Sequence, residues 1–259
     1  MNMRPLRSKR GTKELGRLAT SGDLDAQVEL ALRYENGEGV RPDQRKAVGW
    51  YARAAAGGDA QAQVNLGLAY ARGRGVRKNR RAANHLYGKA ARGGNACAMY
   101  NLGIVYLDGL GVRKNAVRAR QWLERSAKLD DPDAAGILGD LYRDGVGGKP
   151  DQRRAVSWHH LAARHGSDEA QLSIGYALFH GQGVRRDRTK ALDWYRKAAR
   201  RGNSWAMVNI AVMYLCGEGV ARNARAARSW LRKAARLGNE RARELLAESQ
   251  PSRRRSARR

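Results

Sequence analysis

Three histidines, His159, His160 and His165, lie within one short stretch of the chain. Imidazoles at such spacing could hold zinc, but only if they converge on one point with a fixed second shell. A second candidate is ARGRGVRKNRRA at 71–82, with six basic residues, no acid and two glycines. Glycine-rich backbone next to guanidinium groups can grip phosphate. A third is GGKP at 147–150. Neither glycine stretch carries the G-x-x-x-x-G-K-[ST] pattern of a phosphate loop. Carboxylates are few and scattered, and no acid–base pair or nucleophile constellation emerges. The only cysteines, Cys97 and Cys216, are far apart, which argues against a disulfide framework and fits a reducing compartment.

The elements that position these residues follow a period of 36. The frame G-x-G recurs at Gly37/Gly39, Gly73/Gly75, Gly109/Gly111, Gly145/Gly147, Gly181/Gly183 and Gly217/Gly219, 36 residues apart each time. Alanines keep the beat from Ala47 to Ala227. So do Trp50, Trp122, Trp158, Trp194 and Trp230, with Leu86 once. A repeat of this length is one supersecondary unit that buries its apolar face by stacking on its neighbours.

Each unit reads as two helices. In the opening unit the first covers about 24–36, with Ala26, Leu30, Ala31 and Tyr34 at helical spacing. Glycine closes it. The second starts near 44, after Asp43, and the equivalents Asn79, Asn115, Asp151, Asp187 and Asn223 all suit an N-cap. Asp59, Asn95, Asp131, Ser167, Asn203 and Asn239 cap the following first helices in the same way. Alanines let paired helices approach closely, and the tryptophans fill the space between units. In this frame GRGV of the arginine stretch is the turn that GEGV, GLGV and GQGV also make, so its glycines and valine belong to the repeat.

AQVNLGLAYARGRGV (62–76) and KALDWYRKAARRGN (190–203) resemble the Sel-one-like repeat (SLR) family, a relative of the tetratricopeptide repeats. The resemblance covers about nine-tenths of the chain. It implies an all-α fold: a right-handed α/α superhelical solenoid of six 36-residue repeats with flanking helices. The expected organisation is a basic disordered tail at 1–11, one solenoid over 12–247 and a second basic disordered tail at 248–259. The repeats fall near 24–59, 60–95, 96–131, 132–167, 168–203 and 204–239. Repeat four departs at VGGKP, where Gly148 replaces valine, which predicts a looser turn. Repeat five has Leu178 where tyrosine is usual. Some cysteine-rich relatives have been linked to β-lactam hydrolysis. They carry a cysteine pair in each repeat, and this chain does not.

The formal net charge of +27 attracts polyanions but does not specify the fold. It is uneven: repeat two sums to +8 without an acid, repeats five and six to +4 and +5, and repeat one to −1. A candidate polyanion patch comprises Arg72, Arg74, Arg77, Lys78, Arg80 and Arg81, with Arg185, Arg186 and Arg188. In related solenoids the second helix faces the convex side, so these cations predict a basic band on the convex face or edge. The alternative is a solvated coat.

First helices line the concave side. One column there reads Glu29, Asn65, Asn101, Ile137, Ser173 and Asn209, and asparagine can clamp an extended peptide. Asparagine before Leu-Gly is also common throughout the SLR family. Trp205 is the one tryptophan off the core column. With Met207, Val212, Met213 and Cys216 it either exposes an apolar patch or packs on a neighbouring helix. The candidate groove residues are thus Asn65, Asn101, Asn209, Trp205 and Met213. His159 occupies a column of tyrosine and leucine, which makes it a packing residue.

The resemblance implies a non-enzymatic protein-interaction scaffold, holding a partner peptide or helix in the groove, with an acidic partner favoured by charge. A nucleic-acid or other polyanion binder is the alternative. No cofactor, metal or small-molecule substrate is expected. Without an apolar leader or a spanning segment, a cytoplasmic location is expected, with export as an effector left open.

Overall fold

The computed structural model describes residues 11–248. Gly11 and Glu248 apart, the two basic tails lie outside the described residues. Fourteen helices and no strand occur among the described residues. They are α1 (Thr12–Thr20), α2 (Leu24–Asn36), α3 (Gln44–Ala56), α4 (Ala60–Arg72), α5 (Arg80–Arg92), α6 (Ala96–Asp108), α7 (Ala116–Lys128), α8 (Pro132–Asp144), α9 (Gln152–Arg164), α10 (Asp168–His180), α11 (Arg188–Arg200), α12 (Ser204–Cys216), α13 (Ala224–Arg236) and α14 (Glu240–Glu248).

The ends of these helices obey simple hydrogen-bond accounting. The first amides of a helix have no partner inside it. Asp43, Asn79, Asn115, Asp151, Asp187 and Asn223 each accept the amide three residues on, at 2.9–3.0 Å. Asp59, Asn95, Asp131, Ser167, Asn203 and Asn239 do the same for the first helices. Every cap read from the sequence is therefore present.

The turn between paired helices closes with one recurring bond. The cap amide donates to a carbonyl nine residues back, as Asn79 does to Tyr70 at 2.8 Å. In repeat five the acceptor is Leu178, and the bond is retained at 2.9 Å because it uses backbone only. The expected loosening in repeat four does not occur. Asp151 donates to Tyr142 at 2.8 Å, and Gly148 adds a bond to Gly145. The second glycine of the frame has its own reason. Gly75 has φ +68°, and a Cβ there would collide with the carbonyl of Gln44, the first residue of α3.

Helix packing divides the chain into two units, one ending at Ala134 and one starting at Ala135. In the first, the core runs from Leu15 and Ala19 through Ala31, Tyr51 and Leu66 to Tyr87, Leu102 and Leu123. In the second it includes Leu138, Ile174, Tyr195, Ile210 and Leu231. In repeats two to five glycine lets a large side chain sit across the helix pair; Ala31 and Ala211 hold the same position in repeats one and six. A Cβ on Gly67 would lie 2.6 Å from the Tyr87 ring, and Gly175 stands in the same relation to Tyr195.

The tryptophan column differs from expectation. Trp50, Trp122, Trp194 and Trp230 are half-buried rather than enclosed. Each carries a cation three residues on over its ring: Arg53, Arg125, Lys197 and Lys233, at 3.8–4.9 Å from the centroid. The ring covers the core with one face and receives a cation on the other.

Candidate interaction surfaces

The first-helix face is built from positions that the packing leaves open. On α4 these are Gln61, Asn65, Leu68 and Arg72, at helical spacing, and on α12 they are Trp205, Asn209, Val212 and Cys216. Asn65 and Asn101 already have hydrogen-bond partners within the fold. Asn65 accepts from Gln61 Nε2 at 3.0 Å, and its amide lies beside the Tyr51 hydroxyl. The Asn209 amide lies beside Tyr195. Asn101 Nδ2 donates to the Cys97 carbonyl at 2.7 Å. Two of the three thus lie beside a tyrosine of the preceding second helix. The sequence carries a trace of this: tyrosines at 51, 87 and 195 are followed fourteen residues later by asparagine, whereas Leu123 is followed by Ile137 and His159 by Ser173.

Tyr51 also donates to Glu35 Oε2 at 2.7 Å. Burial and that carboxylate push its phenol far above the ordinary range. Burial alone raises Tyr87, to about 12. These phenols stay protonated at any physiological pH, so they hold structure rather than move protons. Around Tyr51 a small half-open pocket is lined by Glu35, Gln44, Asn65, Leu68, Arg72 and Arg74.

In the second unit the same face is aromatic. Trp205 is 56% exposed, which decides between its two readings. Tyr176, 45% exposed, lies against the His180 ring, tilted by 46° with ring centroids 4.3 Å apart. Tyr176 was not singled out from the sequence. Its signal was there: it is the only aromatic in a column otherwise holding Leu32, Leu68, Ile104, Asp140 and Val212. Met213 is corrected. At 1% exposure it is a core residue of the second unit, packed with Ile210, Leu231 and Ala227, and offers no surface to a partner. Met207 is buried there as well.

The basic candidates separate into two kinds. Arg72, Arg74, Arg77, Lys78, Arg80 and Arg81 are all exposed, and none forms an ion pair with a described carboxylate. Arg185 and Arg186 are also exposed, on the turn of repeat five. Arg188 is corrected: it pairs with Glu218 at 3.1 Å and covers the Phe179 ring, so its charge is already engaged.

The histidines do not converge. His159 is 4% exposed and lies against Gly139, and neither ring nitrogen has a hydrogen-bond partner. Burial holds its pKa below the usual imidazole value, although Asp140 pulls the other way. His160 stands edge-on to Trp194. Among the described residues no group of three or more histidine, cysteine, aspartate or glutamate side chains could hold a metal. Among the described residues no helix is long and apolar enough to cross a membrane.

The family model of the Sel1 repeat matches residues 24–59, 60–95, 98–131, 132–167, 168–203 and 206–239. Among the solved structures similar to the chain are two repeat proteins. One is c5321, a protective antigen of uropathogenic Escherichia coli strains with an SLR fold: TM-score 0.89 and 32% identity over 93% of this chain. This chain spans about half of that protein, 51% of its length. The other is a Sel1 repeat protein from Oxalobacter formigenes, with TM-score 0.72 and 35% identity, covering 87% of this chain and 92% of that one. No curated protein matches the chain.

Proposed function

The chain belongs to the Sel1 repeat family of helical interaction repeats, and on that premise we propose that it is a non-enzymatic adaptor. It holds a partner polypeptide on the first-helix face of repeats five and six. One observation carries this reading: Trp205 and Tyr176, two large rings, stand exposed on α12 and α10 in a protein that buries or half-buries most of its other large apolar side chains. Exposed aromatic side chains of this kind supply the few contacts that dominate a binding energy. They lose little rotamer entropy on binding and offer a polar edge as well as an apolar face.

The surroundings suit a polypeptide rather than a small substrate. Tyr176 adjoins Tyr195, which lies beside Asn209, and Asn209 is one helical turn from Trp205. Ring surface and amide groups therefore alternate across neighbouring helices. With a net charge of +27, acidic partners are favoured in the encounter.

The test is selection of peptides from a displayed random library, followed by calorimetry on the enriched sequences. Trp205→Ala is expected to weaken their binding about thirtyfold or more, the scale of a hot spot. Tyr176→Ala should also weaken it. Peptides that bind the doubly substituted protein as tightly as the natural one would overturn the assignment of this face.

A further inference from the structure

Repeat two differs from the other repeats in what its cations do. It holds eight, namely the six from Arg72 to Arg81 together with Lys89 and Arg92, and no acid. All eight are exposed. Among the described residues, none of the eight side chains forms an ion pair or hydrogen bond, and none lies over an aromatic ring. Every other repeat engages at least one cation internally. Arg33 pairs with Glu29 in repeat one, Arg125 covers Trp122 in repeat three, and Arg143 pairs with Asp140 in repeat four. Lys190 pairs with Asp187 in repeat five, and Lys233 covers Trp230 in repeat six. Eight like charges with nothing to neutralise them repel one another, and an external polyanion would relieve that repulsion.

Their placement is ordered. Arg77 and Lys78 lead into α5, Arg80 and Arg81 form its first turn, and Arg81, His85, Lys89 and Arg92 follow its exposed face at helical spacing. At 1.5 Å per residue, α5 is about 20 Å long. Duplex nucleic acid carries one charge per ~1.7 Å of axis, so the stretch of duplex beside α5 carries about twelve phosphates, roughly half of them on the near side. Even that half is comparable in number to the eight cations of the repeat. An acidic polypeptide has a lower charge density. Single strands are held largely by base stacking on aromatic rings. Tyr87, the one phenylalanine, tyrosine or tryptophan between 71 and 95, is 3% exposed, so the His85 imidazole is the single ring of this stretch within reach of an unpaired base, against eight exposed cations for phosphate.

We propose that repeat two carries a binding site for the sugar–phosphate backbone of duplex nucleic acid, running from the turn at Arg72–Lys78 along the exposed face of α5. It reads charge spacing and not sequence, because no side chain in the patch is positioned by a neighbour for bidentate contact with a base. The site is separate from the aromatic face of repeats five and six and does not depend on it.

The test compares two full-length variants with equal loss of charge. The first is Arg77→Gln, Lys78→Gln, Arg80→Gln and Arg81→Gln. The second is Arg222→Gln, Arg225→Gln, Arg232→Gln and Arg236→Gln, four exposed cations of repeat six. Anisotropy of a labelled 20-base-pair duplex is measured from 50 to 200 mM salt. Each phosphate contact contributes about 0.9 to the slope of log K against log salt. The first variant is expected to flatten the slope by roughly 3 and to weaken binding on the order of a hundredfold at 150 mM. The second should change the slope by less than 1. Arg77→Gln alone, which touches no helix residue, should flatten it by about 0.9 and keeps the test valid if the fourfold variant misfolds. Equal losses in the two fourfold variants would mean attraction by net charge only and would remove the site from repeat two. Tighter binding of a single strand, of poly-glutamate or of anionic lipid vesicles than of the duplex would do the same.

Discussion

Replacing His159 with leucine should make the protein more stable, and more so in acid. The ring is buried, and both nitrogens lack a hydrogen-bond partner. Nε2 lies 3.7 Å from Asp140 Oδ1, a distance that becomes an ion pair only when the ring is protonated. Leucine already fills the same position in repeats three and six, where Leu123 and Leu231 are fully buried. A buried polar group left unsatisfied costs about 1–3 kcal/mol, which His159→Leu removes. At roughly 2–4 °C per kcal/mol for a chain of this size, the melting temperature should rise by about 2–12 °C near pH 8. The sign of the pH dependence follows from the depressed pKa of His159, caused first by burial, opposed by Asp140 and assisted by Arg143 and His160. In the unfolded chain histidine titrates near 6.5. Between that value and the lower folded value the unfolded state binds more protons. Stability is therefore fully present above about pH 6.5 and is lost as the pH falls, by up to ~1.4 kcal/mol per pH unit. The leucine variant lacks this loss, so the difference in melting temperature should widen from about pH 8 to pH 5.5. Thermal melts followed by circular dichroism at both values test this. No difference at pH 8, or a difference that stays constant with pH, would refute the reasoning.

Gly75→Ala should destabilise by more than 2 kcal/mol, roughly, because the positive φ and the Gln44 carbonyl both oppose a Cβ. Urea denaturation would show a lower midpoint, and an unchanged midpoint would contradict the close approach. Gly49→Ala, in α3 with nothing within 4 Å of a new Cβ, should instead stabilise by about 0.5–1 kcal/mol, read the same way. Asn79→Ala removes the α5 cap and should cost about 1 kcal/mol, with faster amide exchange at Ala82. Tyr51→Phe leaves the Glu35 carboxylate without its 2.7 Å donor and should cost about 1.5–3 kcal/mol, whereas Tyr87→Phe should cost less.

Caps and turns were legible in the sequence because they depend on local chemistry. Asp, Asn or Ser in front of a helix, and glycine behind it, have one physical use each, and a fixed period shows them six times over. The packing role of His159 was legible for the same reason, since its column names its neighbours. The interaction surfaces were harder to read. Met213 and Val212 are adjacent and both apolar, yet one is buried and the other half-buried, because the face is set by how α12 meets α10 and α13. The asparagine column looked like a peptide clamp. Asn65 and Asn101 bond within their own helices, to Gln61 and Cys97, and the tyrosines beside Asn65 and Asn209 sit on another helix, so neither relation shows in the column itself. Arg188 was grouped with its basic neighbours by proximity along the chain, but Glu218, thirty residues away, had already claimed it.

Within each unit the most extensive helix contacts are between neighbours in sequence: α1 with α2 and onward to α6 with α7 in the first, and α9 with α10 and onward to α13 with α14 in the second. Such low contact order has a consequence for biosynthesis. A newly made chain can dock each helix on its predecessor as soon as it clears the ribosome, without waiting for a distant segment. Elongation and folding then keep pace with each other, and the arginine-rich α5 emerges onto α4, which already offers Gly67 as the seat for Tyr87.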